Sequence, residues 1–376
     1  MDNKFEIIVP TLFGTEAFVS REVRRLGYET TSVEDGRVTF LGDYEAICRA
    51  NLWIRTGERV LIKLAEFKAE SFEELFEGVY NAPWQEWLPV DARFPVKGYC
   101  LKSQLASVPS CQAIIKKAAA KKLGTIYGIE LLPEDGTLYQ IQFSIMKNRV
   151  TIMIDTSGDP LHKRGYRKLS NAAPLRETIA AAMVTMSYWK FEQPLLDPFC
   201  GSGTIPIEAA MFKRNIAPGL SREFAAEKFK NIPDKLWAEA REEARDMVHN
   251  VPLEIYASDI DPECVELTNA NAENAGVADF INISRADARK VFIDKPNGSI
   301  ICNPPYGERM GNAKECEKLY RDIGKNFSRF NNWAKYILVP NESFEKLFGE
   351  KASKKRKIYN GMLKCNIYQF YSKKRV

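Results

Sequence analysis

Asn303, Pro304, Pro305 and Tyr306 leave the apolar run 300–302 in a way that a plain strand exit does not require. Two successive prolines stop a strand, because neither carries an N–H for the ladder and the second constrains the first. The Asn303 side-chain oxygen and the Pro304 carbonyl offer two acceptors, with no competing donor from the prolines. Two acceptors can grip both hydrogens of an exocyclic amine. The Tyr306 ring can stack on the attached heterocycle, worth ~1–3 kcal/mol per base. Taken alone, the same four residues also fit a proline-rich turn.

Three more polar clusters follow apolar runs. In "LLDPFCGSGT", Gly201 and Gly203 allow a tight turn and close backbone approach ahead of a helix whose N–H groups suit an anionic group. The spacing matches neither G-x-G-x-x-G nor the phosphate-binding G-x-x-x-x-G-K-[ST], so an ordinary turn stays open. Asp259-Ile260-Asp261 closes "LEIYASDID", where a carboxylate can accept both hydroxyls of a ribose; a helix-capping aspartate is the alternative. The usual interval from glycine turn to acid is ~20 residues. A helix-rich insertion at 215–250 is expected to account for the longer one here. Asp287-Ala288 could hold an adenine amine or be a surface turn.

Such clusters need a scaffold that gathers strand ends. A length of 376 residues implies two or three domains, and 45% hydrophobic with 27% charged residues suits a well-packed globular protein. "KFEIIVP", "GRVTFLG", "RVLIKLAEFK" and "ARFPVKGYCL" read as strands among helices, and "TLYQIQFSIMKNRVTIMIDTSG" reads as two strands turning at "MKNR". That first half is α+β. After a Gly-, Pro- and Arg-bearing connector at 155–170, strands alternate with helices, as in a doubly wound and mainly parallel sheet. Ligands of such sheets collect beyond the carboxyl ends of the strands, where all four clusters fall.

No apolar run approaches a membrane span, and the start "MDNKFEIIVP" lacks a signal-peptide layout. Eight scattered cysteines without a C-x-x-C pair favour free thiols in a reducing cytoplasm over disulfides or zinc. Two histidines, His162 and His249, make a histidine-rich metal site or a histidine-based triad improbable, and no metal is expected. Net charge is +5, with basic clusters at 114–122 ("IIKKAAAKK"), at 162–168 ("HKRGYRK") and in the acid-free tail 351–376. Basic residues interleaved with tyrosine suit nucleic acid, though each cluster alone also fits a solvated face.

The ordered set "DPFCGSGT", "SDID", "ADA" and "NPPYG" resembles the Rossmann-like S-adenosylmethionine-dependent methyltransferases that act on amino nitrogens, adenine N6 and guanine N2 among them. The first 160 residues are similar, through "ICRANLWIRTGERVLIKLAEFKAESFEELFEGV" and "LKSQLASVPSCQAIIKKAA", to the ferredoxin-like plus THUMP region of RNA-modifying enzymes. The connector "HKRGYRKLSNAAPLRETIAAAM" is similar to that of the large-subunit ribosomal RNA guanine-N2 methyltransferases; some relatives carry a second methyltransferase domain, which is not expected here.

The resemblance implies a ferredoxin-like region at 1–60, a THUMP RNA-binding domain at 61–160 and a methyltransferase domain at 161–376. It implies S-adenosylmethionine as cofactor, with Asp197, Pro198, Phe199, Cys200, Gly201, Ser202, Gly203 and Thr204 around its amino-acid part. Asp259 and Ile260 would lie at the ribose, and Asp287 and Ala288 at the adenine. Asn303, Pro304, Pro305 and Tyr306 would form the amine grip, with Asn303 also facing the cofactor. The implied reaction is methylation of guanine N2 in 23S ribosomal RNA. A transfer-RNA guanine-N2 enzyme, a DNA adenine-N6 enzyme and a non-catalytic RNA-binding assembly factor are the alternatives. The two halves are expected to divide the labour, so that losing 1–155 weakens RNA binding and spares cofactor binding.

Overall fold

The computed structural model describes residues 4–168, 174–190, 192–306, 313–361 and 363–372. Parts of the connector, Gly307 and the last four residues of the basic tail lie outside them.

The amino-terminal half is built on one seven-stranded sheet. Its chain order is β1 (Phe5–Pro10), α1 (Glu16–Arg25), β2 (Thr30–Glu34), β3 (Arg37–Gly42), α2 (Tyr44–Trp53), β4 (Leu61–Lys68), α3 (Phe72–Tyr80), β5 (Val96–Leu101), α4 (Val108–Tyr127), β6 (Ile141–Met146) and β7 (Arg149–Asp155). In space the strands run β2-β3-β1-β4-β7-β6-β5, so the regions expected as ferredoxin-like and THUMP share a sheet. The seam is short: Ile7 opposes Ile62 and Ile8 opposes Leu61. The turn at "MKNR" forms as expected, with Lys147 and Asn148 at φ +51° and +64°, a backbone that matches the strand twist. Helix starts follow from capping: Asp43 accepts the Ala46 N–H at 2.9 Å, and Ser71 accepts that of Glu74 at 3.2 Å.

The second half is the expected doubly wound sheet. It comprises α5 (Glu177–Ser187), β8 (Leu195–Asp197), α6 (Thr204–Lys213), α7 (Asp234–Asp246), β9 (Ile255–Asp259), α8 (Pro262–Asn274), β10 (Ile281–Arg285), β11 (Gly298–Cys302), α9 (Ala313–Phe327), β12 (Trp333–Val339), α10 (Phe344–Phe348), β13 (Lys354–Asn360) and β14 (Leu363–Phe370). Strand order is β10-β9-β8-β11-β12-β14-β13, with the first five parallel and β14 and β13 antiparallel. β8, β9 and β11 lie in the middle, which brings three of the four clusters to neighbouring strand ends. One face is covered by α5 and α6, whose Ile179, Met183, Ile205 and Ile207 are buried, and the other by α9 through Tyr320, Ile323 and Phe327.

Three expectations change. The insertion at 215–250 separates β8 from β9 as foreseen, but it packs on the amino-terminal half. Phe224, Phe229, Ile232 and Trp237 join that half's core, and Phe229 stacks on Tyr139 at 4.2 Å. Losing 1–155 would therefore uncover an apolar face of the catalytic half, and the two halves cannot be separated cleanly by truncation.

The cluster at 162–168 is mainly a structural strap. Arg164 is buried against the equally buried Glu208 at 3.3 Å, and Tyr166 donates to the same carboxylate. Arg167 pairs with Glu177 at 2.7 Å and donates to the Thr204 hydroxyl at 3.1 Å. A buried cation needs such partners, so Arg164 and Arg167 are committed to the fold, while Lys163 and Lys168 stay exposed.

The basic tail is the hairpin β13–β14. Ile358, Cys365, Ile367 and Phe370 are buried, and Arg356 reaches the Gly14 carbonyl of the first half at 2.8 Å.

Candidate active site

Asp197, the last residue of β8, is fully buried. Its Oδ1 accepts the Phe199 N–H at 3.1 Å, while Oδ2 has no hydrogen-bond partner. Burial, reinforced by the nearby Asp259 charge, raises its carboxyl well above the usual range. A buried acid that keeps a free oxygen at a strand end is suited to a cationic ligand group.

The glycine turn that follows is built for close approach. Gly203 sits at φ +82° as the N-cap of α6, and a β-carbon there would lie 2.9 Å from Thr268 Cγ2 and 3.3 Å from Thr268 Cα. Only glycine meets both demands. Thr268 donates to the Gly201 carbonyl and Asn271 to that of Ser202, each at 2.9 Å, so α8 holds the turn from outside. Sequence reasoning missed both residues; their place one helix further along carries no local signal.

The two acids of "SDID" separate cleanly. Asp261 is the N-cap of α8 and accepts the Glu263 N–H at 3.0 Å. Asp259 is therefore free of capping. Its Oδ2 accepts the Gly201 N–H at 3.0 Å and its Oδ1 that of Asp261 at 3.1 Å, which fixes the carboxylate between the turn and α8. Burial raises its carboxyl as well. Asp287 and Ala288 follow β10 on the same rim, but Arg289 grips the Asp287 carboxylate through Nε and Nη2, and these hydrogen bonds lower its pKa. Any amine reaching Asp287 has to share it.

The exit from β11 is held from two sides. Tyr320 of α9 donates to the Pro305 carbonyl at 3.3 Å, and Asn360 at the end of β13 donates to the Tyr306 hydroxyl at 3.2 Å. Asn303 Oδ1 is buried and has no partner. An acceptor left so in a folded protein costs ~1–3 kcal/mol, which a ligand donor would recover.

These parts face a cavity of about 510 Å3 lined by Phe199, Gly201, Asp259, Ile260, Asp287 and Asn303, among others. A cleft of about 40 Å3 adjoins it, lined by Asp197, Ser202 and Thr204. Phe199, Gly201 and Asn303 border both, so the Asn303 amide stands between a nucleoside-sized space and the buried acid. The structure brings Asp197, Asp259, Asp287 and Asn303 into one site. Lys318, Leu319 and Asp322 on α9 also line it, unforeseen because that helix reads only as amphipathic. Both histidines are elsewhere: His162 lies 3.6 Å from Glu58 in the connector, and the His249 N–H bonds the Arg214 carbonyl.

Comparison with known proteins agrees with this geometry. The family model described as an RMKL-like methyltransferase domain matches residues 164–369, a model of an RlmL ferredoxin-like domain matches 6–61, and a THUMP model matches 69–155. The chain belongs to the RMKL-like methyltransferase family. It is 44% identical to the Bacillus subtilis protein named putative RNA methyltransferase YpsC, over 99% of this chain and 97% of that one. It is 34% identical to the ribosomal RNA large subunit methyltransferase K/L of Psychromonas ingrahamii, over 96% of this chain; the chain spans about half, 49%, of that relative. The crystal structure of SMU.472, a putative methyltransferase complexed with SAH, is 41% identical and superposes with a TM-score of 0.93, covering 100% of both chains.

In this methyltransferase the cofactor is S-adenosylmethionine. The residues fit it: an unpaired buried carboxylate for an ammonium, a fixed carboxylate for a ribose and a cavity of nucleoside size. No helix among the described residues is long and apolar enough to cross a membrane.

Proposed function

We propose that this methyltransferase transfers the methyl group to the exocyclic N2 amine of a guanine in RNA, with large-subunit ribosomal RNA as its substrate. The observation that carries the amine target is Asn303 Oδ1, a buried and unpartnered acceptor of a residue that lines the cofactor cavity. RNA, and the ribosomal kind, is supported by the THUMP match and by the names of the relatives.

When bound, S-adenosylmethionine supplies an electrophilic methyl group on a sulfonium. Asp197 and the backbone of 199–204 would hold its amino-acid part, Asp259 and Ile260 would lie at its ribose, and Asp287 and Ala288 at its adenine. A guanine amine is a poor nucleophile because its lone pair is delocalised into the ring. Asn303 Oδ1 and the Pro304 carbonyl accept both amine hydrogens, turn the lone pair towards the methyl and spread the developing positive charge. Tyr306 stacks on the base, which has left its own stack at a cost of a few kcal/mol. Positioning supplies most of the acceleration, and the proton can leave after transfer.

The Asp197 assignment has a pH signature. A cationic group favours the ionised acid, so affinity for S-adenosylhomocysteine should rise with pH through the raised Asp197 pKa and then level off. In the ligand-free protein the sign reverses. Relative to Asp197→Asn, stability is fully present below the ordinary carboxylate pKa and is lost as pH rises through the raised one. Calorimetric titration across pH checks both; an equally steep affinity profile in Asp197→Asn would overturn the assignment.

An Asn-Pro-Pro-Tyr grip suits adenine N6 as well as guanine N2, so substrate choice needs its own test. Labelled cofactor is supplied with unmodified ribosomal RNA, unmodified transfer RNA or duplex DNA. Ribosomal RNA should accept methyl at least tenfold faster than the others; preference for DNA or transfer RNA would reject the proposed substrate.

A further inference from the structure

We propose that a second cavity, between the amino-terminal half and the far ends of α5 and α6, binds a phosphorylated nucleotide. It measures about 380 Å3, within the range of small-ligand pockets. It lies away from the chemistry: α6 carries Thr204 of the glycine turn at one end and Phe212 and Lys213 of this cavity at the other. Ten helical residues span ~15 Å.

The walls hold five cations, Arg21, Arg25, Arg49, Arg55 and Lys213, against one carboxylate, Glu22. That carboxylate is already engaged, accepting from the Arg55 and Thr56 N–H groups and from the Thr56 hydroxyl. Arg49 is neutralised by Glu243 at 2.8 Å. Among the described residues, neither Arg21 nor Arg25 makes an ion pair, and both are exposed on α1. Arg55 is only 5% exposed, and burial depresses its pKa to about 10. A buried guanidinium without a full complement of acceptors is costly unless an anion supplies them.

A second observation is independent of charge. Arg55 Nη1, Trp53 Nε1 and Thr185 Oγ1 are buried without a hydrogen-bond partner, and all three residues line this cavity. Buried groups are normally satisfied, and a guanidinium N–H, an indole N–H and a hydroxyl can all donate. Their common need is a ligand rich in acceptors.

Flat apolar faces complete the site. Arg21 lies over Phe18 at 5.0 Å, and Lys213 over Trp189 at 5.0 Å and Phe212 at 5.8 Å. Tyr188, 75% exposed with φ +50°, stands at the rim. Cations for a phosphate, donors for base acceptors and rings for stacking together describe a nucleotide. The nucleotide is either free or part of an RNA strand; in the second case the inference rests on the RNA reading above.

The test uses the full chain saturated with S-adenosylhomocysteine, so that the catalytic cavity is filled. Binding is followed by fluorescence of the lining tryptophans and by calorimetry. The probes are guanosine 5′-monophosphate, guanosine and a short single-stranded RNA; guanine offers O6 and N7 as acceptors. The proposal expects saturable binding of the monophosphate or the RNA, with guanosine at least tenfold weaker. The double variant Arg21→Glu/Arg25→Glu should weaken that binding at least tenfold and leave S-adenosylhomocysteine affinity within twofold. Both residues are exposed, so the fold survives the change.

Monophosphate binding with RNA affinity unchanged in the variant assigns the site to a free nucleotide. RNA binding that alone falls in the variant assigns it to the strand. Absence of saturable binding by either probe at millimolar concentration, or equal binding by the variant, overturns the proposal. Methyl transfer is read separately, so failure of the guanine assignment leaves this outcome intact.

Discussion

Asn303→Ala is expected to lower methyl transfer by about 10²–10³-fold, the effect of removing one preorganised polar group that stabilises transition-state charge. S-adenosylhomocysteine affinity should stay within a few-fold. The argument rests on an asymmetry in the site. Asn303 Oδ1 is buried and unpartnered, whereas the loop around it is secured by Tyr320 on the Pro305 carbonyl and Asn360 on the Tyr306 hydroxyl. Removing the amide therefore leaves the loop in place and takes away one of two acceptors for the target amine. Single-turnover kinetics with ribosomal RNA, paired with calorimetry of the cofactor product, separates the two effects. Wild-type turnover in the variant would remove Asn303 from the chemistry.

Asp259→Ala should have its largest effect on cofactor affinity, a loss of about 10²–10⁴-fold. Two hydrogen bonds that a carboxylate accepts from ribose hydroxyls contribute ~1.5–3 kcal/mol each, and ~1.4 kcal/mol is a factor of ten. The carboxylate is held beforehand by the Gly201 and Asp261 N–H groups, so its truncation also loosens the glycine turn. Asp261→Ala is the matched control. It removes the cap of α8, for ~1 kcal/mol of stability, and should change affinity little. Equal affinity losses in the two variants would show that the acid acts through α8 and not on the ribose.

Much of the site was legible because it lies on short local signals. Gly201, Gly203, Asp259 and Asn303 each follow an apolar run that forms a central strand, and strand ends are where ligands of such sheets gather. The choice between ribose ligand and helix cap at 259–261 was not legible. It depends on which of two acids two residues apart faces the α8 backbone, and the structure gives that role to Asp261.

Tertiary partners decided the rest. Arg164 and Arg167 read as an RNA-binding cluster, since nothing local announces that Glu208 and Glu177 meet them. The insertion at 215–250 gave no sign that its Phe229 stacks on Tyr139 of the other half. The hairpin was a missed signal of another kind. Asn360 ends β13 paired with Leu363, and Gly361 at φ +64° opens the turn, so the glycine after the alternating strand is the local sign of it.

The most direct test of the central claim is the identity of the modified nucleoside. Purified protein, labelled S-adenosylmethionine and ribosomal RNA from cells lacking the gene are incubated, and the RNA is digested and resolved. Label in N2-methylguanosine at one position of the large-subunit RNA is the predicted result. Label in N6-methyladenosine, or none in RNA while DNA accepts it, would contradict the account.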